Sequence, residues 1–157
     1  MKMLLGGIFC LIWGLLIYLL LSSGLGFNYK EIVGEAEARA IWDTRIEEYA
    51  VKPAVFDIII QNNVAYGYRL PAIDVICEGN YPATKLQLMI IYFALDLDEG
   101  VVSEFEGFKQ FSSFLKEYQI VPPSIYADLK NGETIKHYEE LYSNMPLYKD
   151  CKIDSGS

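Results

Sequence analysis

Hydrophobic and polar positions are spread unevenly along the chain. Residues 3–21 carry no Asp, Glu, Lys or Arg and are mostly apolar. At a helical rise of about 1.5 Å per residue they cover about 30 Å, the hydrocarbon core of a bilayer. Residues 1–27 therefore read as an N-terminal transmembrane anchor, with a cleaved signal segment ending before Leu25 as the alternative. Beyond the short joint Ser22-Ser-Gly-Leu-Gly26 the apolar positions fall at three- and four-residue intervals. Asn28 with Glu31 suits a helix start, and Ile32, Ala36, Ala40, Ile46 and Ala50 make a stripe bordered by Trp42 and Tyr49, which predicts a helix over residues 28–49.

Further along, Pro53 suits the first turn of a second helix over residues 55–62, although Phe56-Asp-Ile-Ile-Ile60 also fits a buried strand. Pro71 opens a short helix over 72–77, and Thr84 caps a helix over 85–97 that is apolar nearly all round, the expected centre of the core. Ser103 and Glu106 have capping-box spacing, and Phe105, Phe108, Phe111, Leu115 and Tyr118 line one face after them. Ser124 caps one more turn, and a last helix is expected over 133–142. No stretch alternates cleanly and no repeat recurs. The pattern predicts an all-α domain of about five to seven helices over residues 28–145, followed by a polar tail, 146–157.

Charge narrows the possible partners. The 157 residues hold 21 acidic and 13 basic side chains, a net charge of −8. Setting aside residues 1–27 removes only Lys2, leaving 12 basic against 21 acidic and a net −9. Nucleic-acid binding needs a basic track, and none exists. Anionic headgroups are disfavoured for the same reason, whereas a basic protein partner is matched in potential.

Candidate chemistry is sparse. His137 is the single histidine and three Cys are present, too few for a nucleophilic triad or a transition-metal site, so no catalytic residue, metal or cofactor is expected. Asp96, Asp98 and Glu99 put carboxylates on one turn, but the spacing is not that of a calcium loop, which leaves them as a solvated acidic turn. With Asn63, Tyr66 and Tyr68 of the loop 62–68, where Tyr offers an apolar ring with a polar tip, they form the expected partner-binding set. Cys77 and Cys151 are disulfide candidates in an oxidising compartment, the alternative being a buried free Cys77.

Asn63, Gly67, Pro71, the run Leu88-Met-Ile-Ile-Tyr92 and Glu99-Gly100 together resemble the bacterial domain-of-unknown-function family 4274 over residues 62–100. The resemblance implies a short helix, then an apolar-aromatic helix, with no catalytic residue; such proteins look like small partners in toxin and immunity loci. Val64-Ala65 stands where the family often has Trp-Asp. Together these features predict a membrane-tethered, non-enzymatic protein-binding domain, an immunity protein neutralising a toxin in the cell envelope. The alternative is an accessory or assembly subunit of a membrane protein complex. The expected location is the inner membrane, single-pass, with the soluble domain outside the cytoplasm, or the periplasm after signal cleavage.

Overall fold

A computed structural model of the protein describes residues 24–26, 28–33, 39–77, 81–144 and 151–153. They form strands β1 (Tyr29–Val33), β2 (Arg39–Asp43), β3 (Glu48–Gln61), β4 (Val64–Arg69), β5 (Ala72–Cys77), β6 (Tyr81–Leu86), β7 (Ile91–Asp96) and β8 (Val102–Phe105). Helix α1 (Phe108–Glu117), a 3-10 segment (Ser124–Asn131), helix α2 (Glu133–Asn144) and strand β9 (Lys152–Ile153) follow. The large sheet has the order β1-β2-β3-β4-β7-β8 and the small sheet β6-β5-β9, with antiparallel pairing throughout.

β4 and β7 are neighbouring interior strands of the large sheet, and nearly every residue of both is buried. Because side chains alternate across a strand, Val64, Tyr66 and Tyr68 of β4 with Tyr92 and Ala94 of β7 meet Phe111 and Leu115 of α1, Tyr126 of the 3-10 segment and Ile135 of α2. Ala65, Phe93 and Leu95 point the other way and pack with Leu25, Tyr29, Ile41, Val51 and Val55. Two cores thus sandwich one sheet.

Local chemistry fixes the register. Asn62 and Asn63 both have positive φ, 51° and 61°, between Gln61 and Val64, which face each other. Two left-handed residues in a two-residue hairpin loop make the turn whose twist matches that of the strands, and Asn tolerates the conformation. Gly67 lies opposite Ile58 on one side and Phe93 on the other. A Cβ there would sit 1.9 Å from the Asp57 carbonyl oxygen, beside the register shift between Val55 and Asp57. The outer edge of β6 is blunted: Leu86 N–H donates to Tyr142 Oη at 2.8 Å, and Pro82, an even number of residues away, has no N–H to offer.

This architecture corrects the all-α expectation. Residues 28–49 hold β1, β2 and the start of β3; residues 55–62 lie in β3 and its turn; residues 72–77 are β5; and residues 85–97 end β6 and form β7. The two helices that the family 4274 resemblance implies fall on β5 and β7. Ser103 belongs to β8 rather than to a capping box, and α1 starts after Gly107 with no side-chain cap. α1 does bury Phe111 and Leu115, and α2 occupies the place of the last expected helix. The expectation of a helical, single-pass inner-membrane protein is corrected with it: no helix among the described residues is long and apolar enough to cross a membrane, and residues 3–21 lie outside them. Within the expected polar tail, Cys151 and β9 are tied to β5.

Gly67→Ala should destabilise the fold by about 3 kcal/mol or more, because backbone must move to admit the methyl group. Gly107→Ala, whose Cβ would meet only the end of the Gln110 side chain at 3.8 Å, should cost less than about 1 kcal/mol. Urea unfolding of both variants measures the contrast, and equal losses would contradict the assigned register.

Candidate functional site

The turns β3–β4 and β7–β8 meet at one end of the large sheet and are fastened to each other. Leu97 N–H donates to the Asn63 carbonyl oxygen at 2.9 Å, and Asn63 Nδ2 donates to Asp98 Oδ2 at 2.9 Å. Asp96 organises the second turn: its Oδ1 accepts the backbone N–H groups of Asp98 and Glu99, each at 2.9 Å, while Tyr118 Oη donates to its Oδ2 at 3.3 Å. Asn62 Nδ2 reaches the Tyr118 carbonyl oxygen at 2.9 Å, so the end of α1 is joined to the same cluster. Burial, with Asp96 beside it, pushes the Tyr118 hydroxyl above its ordinary pKa. Asp98 and Glu99 project into solvent.

A second network backs this end. Arg45 Nη2 pairs with Asp43 Oδ2 at 2.6 Å and also bonds Tyr29 Oη, and the guanidinium lies 5.0 Å from the Tyr29 ring centroid. Gly100, at φ +76°, leaves room for both: a Cβ there would lie 2.7 Å from Arg45 Nη2 and 2.8 Å from Tyr29 Oη. Hydrogen bonds from Arg45 hold the buried Asp43 carboxyl below the usual carboxylate range, outweighing the burial that works against them.

The residues expected to bind a partner therefore separate into two groups. Asn63, Asp96, Asp98 and Glu99 share the hairpin end. Tyr66 and Tyr68, 2% and 8% exposed, lie under the helices and out of reach of a partner. They belong to an aromatic core in which Tyr126 Oη donates to Asp57 Oδ2 at 2.7 Å and Tyr92 Oη donates to the Tyr126 carbonyl oxygen at 2.6 Å. Burial first, then the Asp57 hydrogen bond and charge, push the Tyr126 hydroxyl far above its ordinary pKa. Nothing in the sequence pattern singles out Asp57 or Tyr126, which come together only through the packing of the 3-10 segment on β3. The Asn62-Asn63 pair, by contrast, is a hairpin signal in the sequence.

Cys77 Sγ and Cys151 Sγ are bonded at 1.98 Å. His137, on the exposed surface of α2, meets the Tyr138 ring edge to face, 5.3 Å between centroids. Among the described residues no group of three His, Cys, Asp or Glu side chains is placed to hold a metal ion. An open cleft of about 720 Å³ lies between β5, β6 and α2, walled by Ile73, Val75, Leu86, Leu88 and Tyr142. The arrangement at the hairpin end offers fixed hydrogen-bond acceptors and exposed negative charge, which suits recognition of a cationic surface. No family model, curated protein or solved structure matches the chain.

The Asp43–Arg45 pair sets an acid limit on stability. With the folded-state pKa of Asp43 below its unfolded value, the contribution is present above the unfolded value of about 4 and disappears as pH falls through the folded one. Thermal unfolding midpoints should hold between about pH 7 and 5 and fall steeply below about pH 4. Asp43→Asn should lower the midpoint at neutral pH and flatten that acid slope; an unchanged slope would exclude Asp43 as the titrating group.

Proposed function

We propose that this chain is a non-enzymatic protein-binding domain that presents the hairpin end of its large sheet to a basic protein, as an immunity protein does when it occludes a toxin. The observation that carries this reading is the Asn63–Asp98 hydrogen bond between two hairpin tips, which fixes both tips, and with them the exposed Asp98 carboxylate, before any partner arrives. Fixing them beforehand lowers the ordering cost of association. The net charge of −8 adds long-range steering toward a cationic partner, an effect that salt screens.

The full chain, immobilised and exposed to an extract of its source cells, should retain basic proteins that elute as salt is raised. Asp98→Lys combined with Glu99→Lys should weaken that retention by about tenfold or more, while the chain loses no more than about 1 kcal/mol of stability, the worth of the exposed Asn63–Asp98 hydrogen bond that goes with Asp98. Retention of the same proteins by both forms, or of no basic protein by either, would overturn the reading.

A further inference from the structure

The small sheet is held together differently from the large one. Its strand β9 is two residues long and, among the described residues, pairs with β5 alone, through Val75↔Ile153 and Ile76↔Lys152. Two residues of ladder do not sustain a strand in water. β9 is anchored covalently by the bond from Cys151, immediately before it, to Cys77 at the end of β5, across a sequence separation of 74. The two sulfur-bearing residues differ in access. Cys77 is 4% exposed, whereas Cys151 is half-buried and forms part of the wall of the open cleft between β5, β6 and α2.

The opposite wall of that cleft has its own fastening. Tyr142 of α2 accepts the Leu86 N–H at 2.8 Å, and Lys85 Nζ lies 4.8 Å from the centroid of the Tyr142 ring. α2 also buries Ile135 in the helix-side core. Neither core of the large sheet includes Cys77, Cys151 or the exposed Lys152 of β9. Loss of the disulfide therefore removes the support of β9 while leaving α2 and the large sheet with theirs.

We propose that the Cys77–Cys151 disulfide is a redox latch, reduced through the cleft at Cys151, whose opening frees β9 and uncovers the β5 edge at Val75 and Ile76. In the first step the thiolate of a small thiol attacks Cys151 Sγ, forming a mixed disulfide and expelling the Cys77 thiolate, which takes up a proton. A second thiol then attacks the sulfur of the small thiol in that mixed disulfide and releases Cys151. The balance is one protein disulfide reduced to two thiols and two small thiols oxidised to one disulfide. The opening is local because stability is not uniform: a two-residue strand paired along one edge belongs to the least stable end of the structure.

The test is amide hydrogen exchange on the full chain with and without dithiothreitol, read alongside the double variant Cys77→Ser/Cys151→Ser. Under native conditions the dithiol should reduce the bond, exchange in β5 and β9 should accelerate by roughly tenfold or more, and exchange in β4 and β7 should keep its rate. The double variant should show the same fast exchange in β5 and β9 and no response to the dithiol. A bond that resists reduction until the chain unfolds, acceleration that extends through β4 and β7, or no acceleration anywhere would each overturn the latch.

Discussion

Burial of β4 and β7 on both faces is the constraint from which the other elements follow. A strand with apolar side chains on each side needs a cover on each side. On one, α1, the 3-10 segment and α2 supply Phe111, Leu115, Tyr126, Leu129 and Ile135; on the other, Leu25 and Tyr29 pack beside Ile41 and Val51 from the neighbouring strands. The central ladder also explains Gly67, where the β3 backbone approaches too closely for any side chain. Polar groups inside the sandwich are paired, with Tyr126 on Asp57 and Tyr92 on the Tyr126 carbonyl, and among the described residues no buried side-chain nitrogen or oxygen lacks a partner. Since a buried unpaired polar group is expensive, these bonds help fix how the helical layer sits on the sheet.

The same constraint decides how much of the fold is legible in the sequence. α1 and α2 each have one buried face, so their three- and four-residue spacing survives in the pattern of Phe108, Phe111 and Leu115 or of Ile135 and Tyr138. A strand covered on one face would show alternation; Ile90-Ile91-Tyr92-Phe93-Ala94-Leu95, covered on both, shows an unbroken apolar run that a buried helix would share. Around β2, Glu and Ala in 35–40 favour a helix locally, yet Arg39–Asp43 pairs with β3, an instance of tertiary packing outweighing propensity. Trp42 and Tyr49, bordering the expected helical stripe, are instead cross-strand partners with ring centroids 5.2 Å apart, edge to face.

The candidate site was legible in part for a related reason. Charge marks Asp96, Asp98 and Glu99 wherever the chain places them, and the hairpin geometry then brings Asn63 to Asp98 across 35 positions of sequence. Tyrosine carries no such mark, since its amphipathic ring serves a surface or a core; the alternation of β4 sends Tyr66 and Tyr68 inward. The disulfide follows from topology as well, because β5 and β9 become neighbours only once the small sheet forms. At the opposite extreme from that sheet, the hairpin end gains its rigidity from β3, β4 and β7, of which β4 and β7 are buried along nearly their whole length.

The two-core sheet depends on residues 64–69 and 91–96 being facing antiparallel strands. Nuclear Overhauser contacts on the full chain test this most directly. Short Hα–Hα contacts should appear between β4 and β7 at every second facing pair, in one of the two alternating sets that contain Tyr66 with Ala94 and Gly67 with Phe93. A continuous series of contacts between residues three apart along 86–95, with no Hα–Hα contact to β4, would show a helix in that place and contradict the two-core sheet.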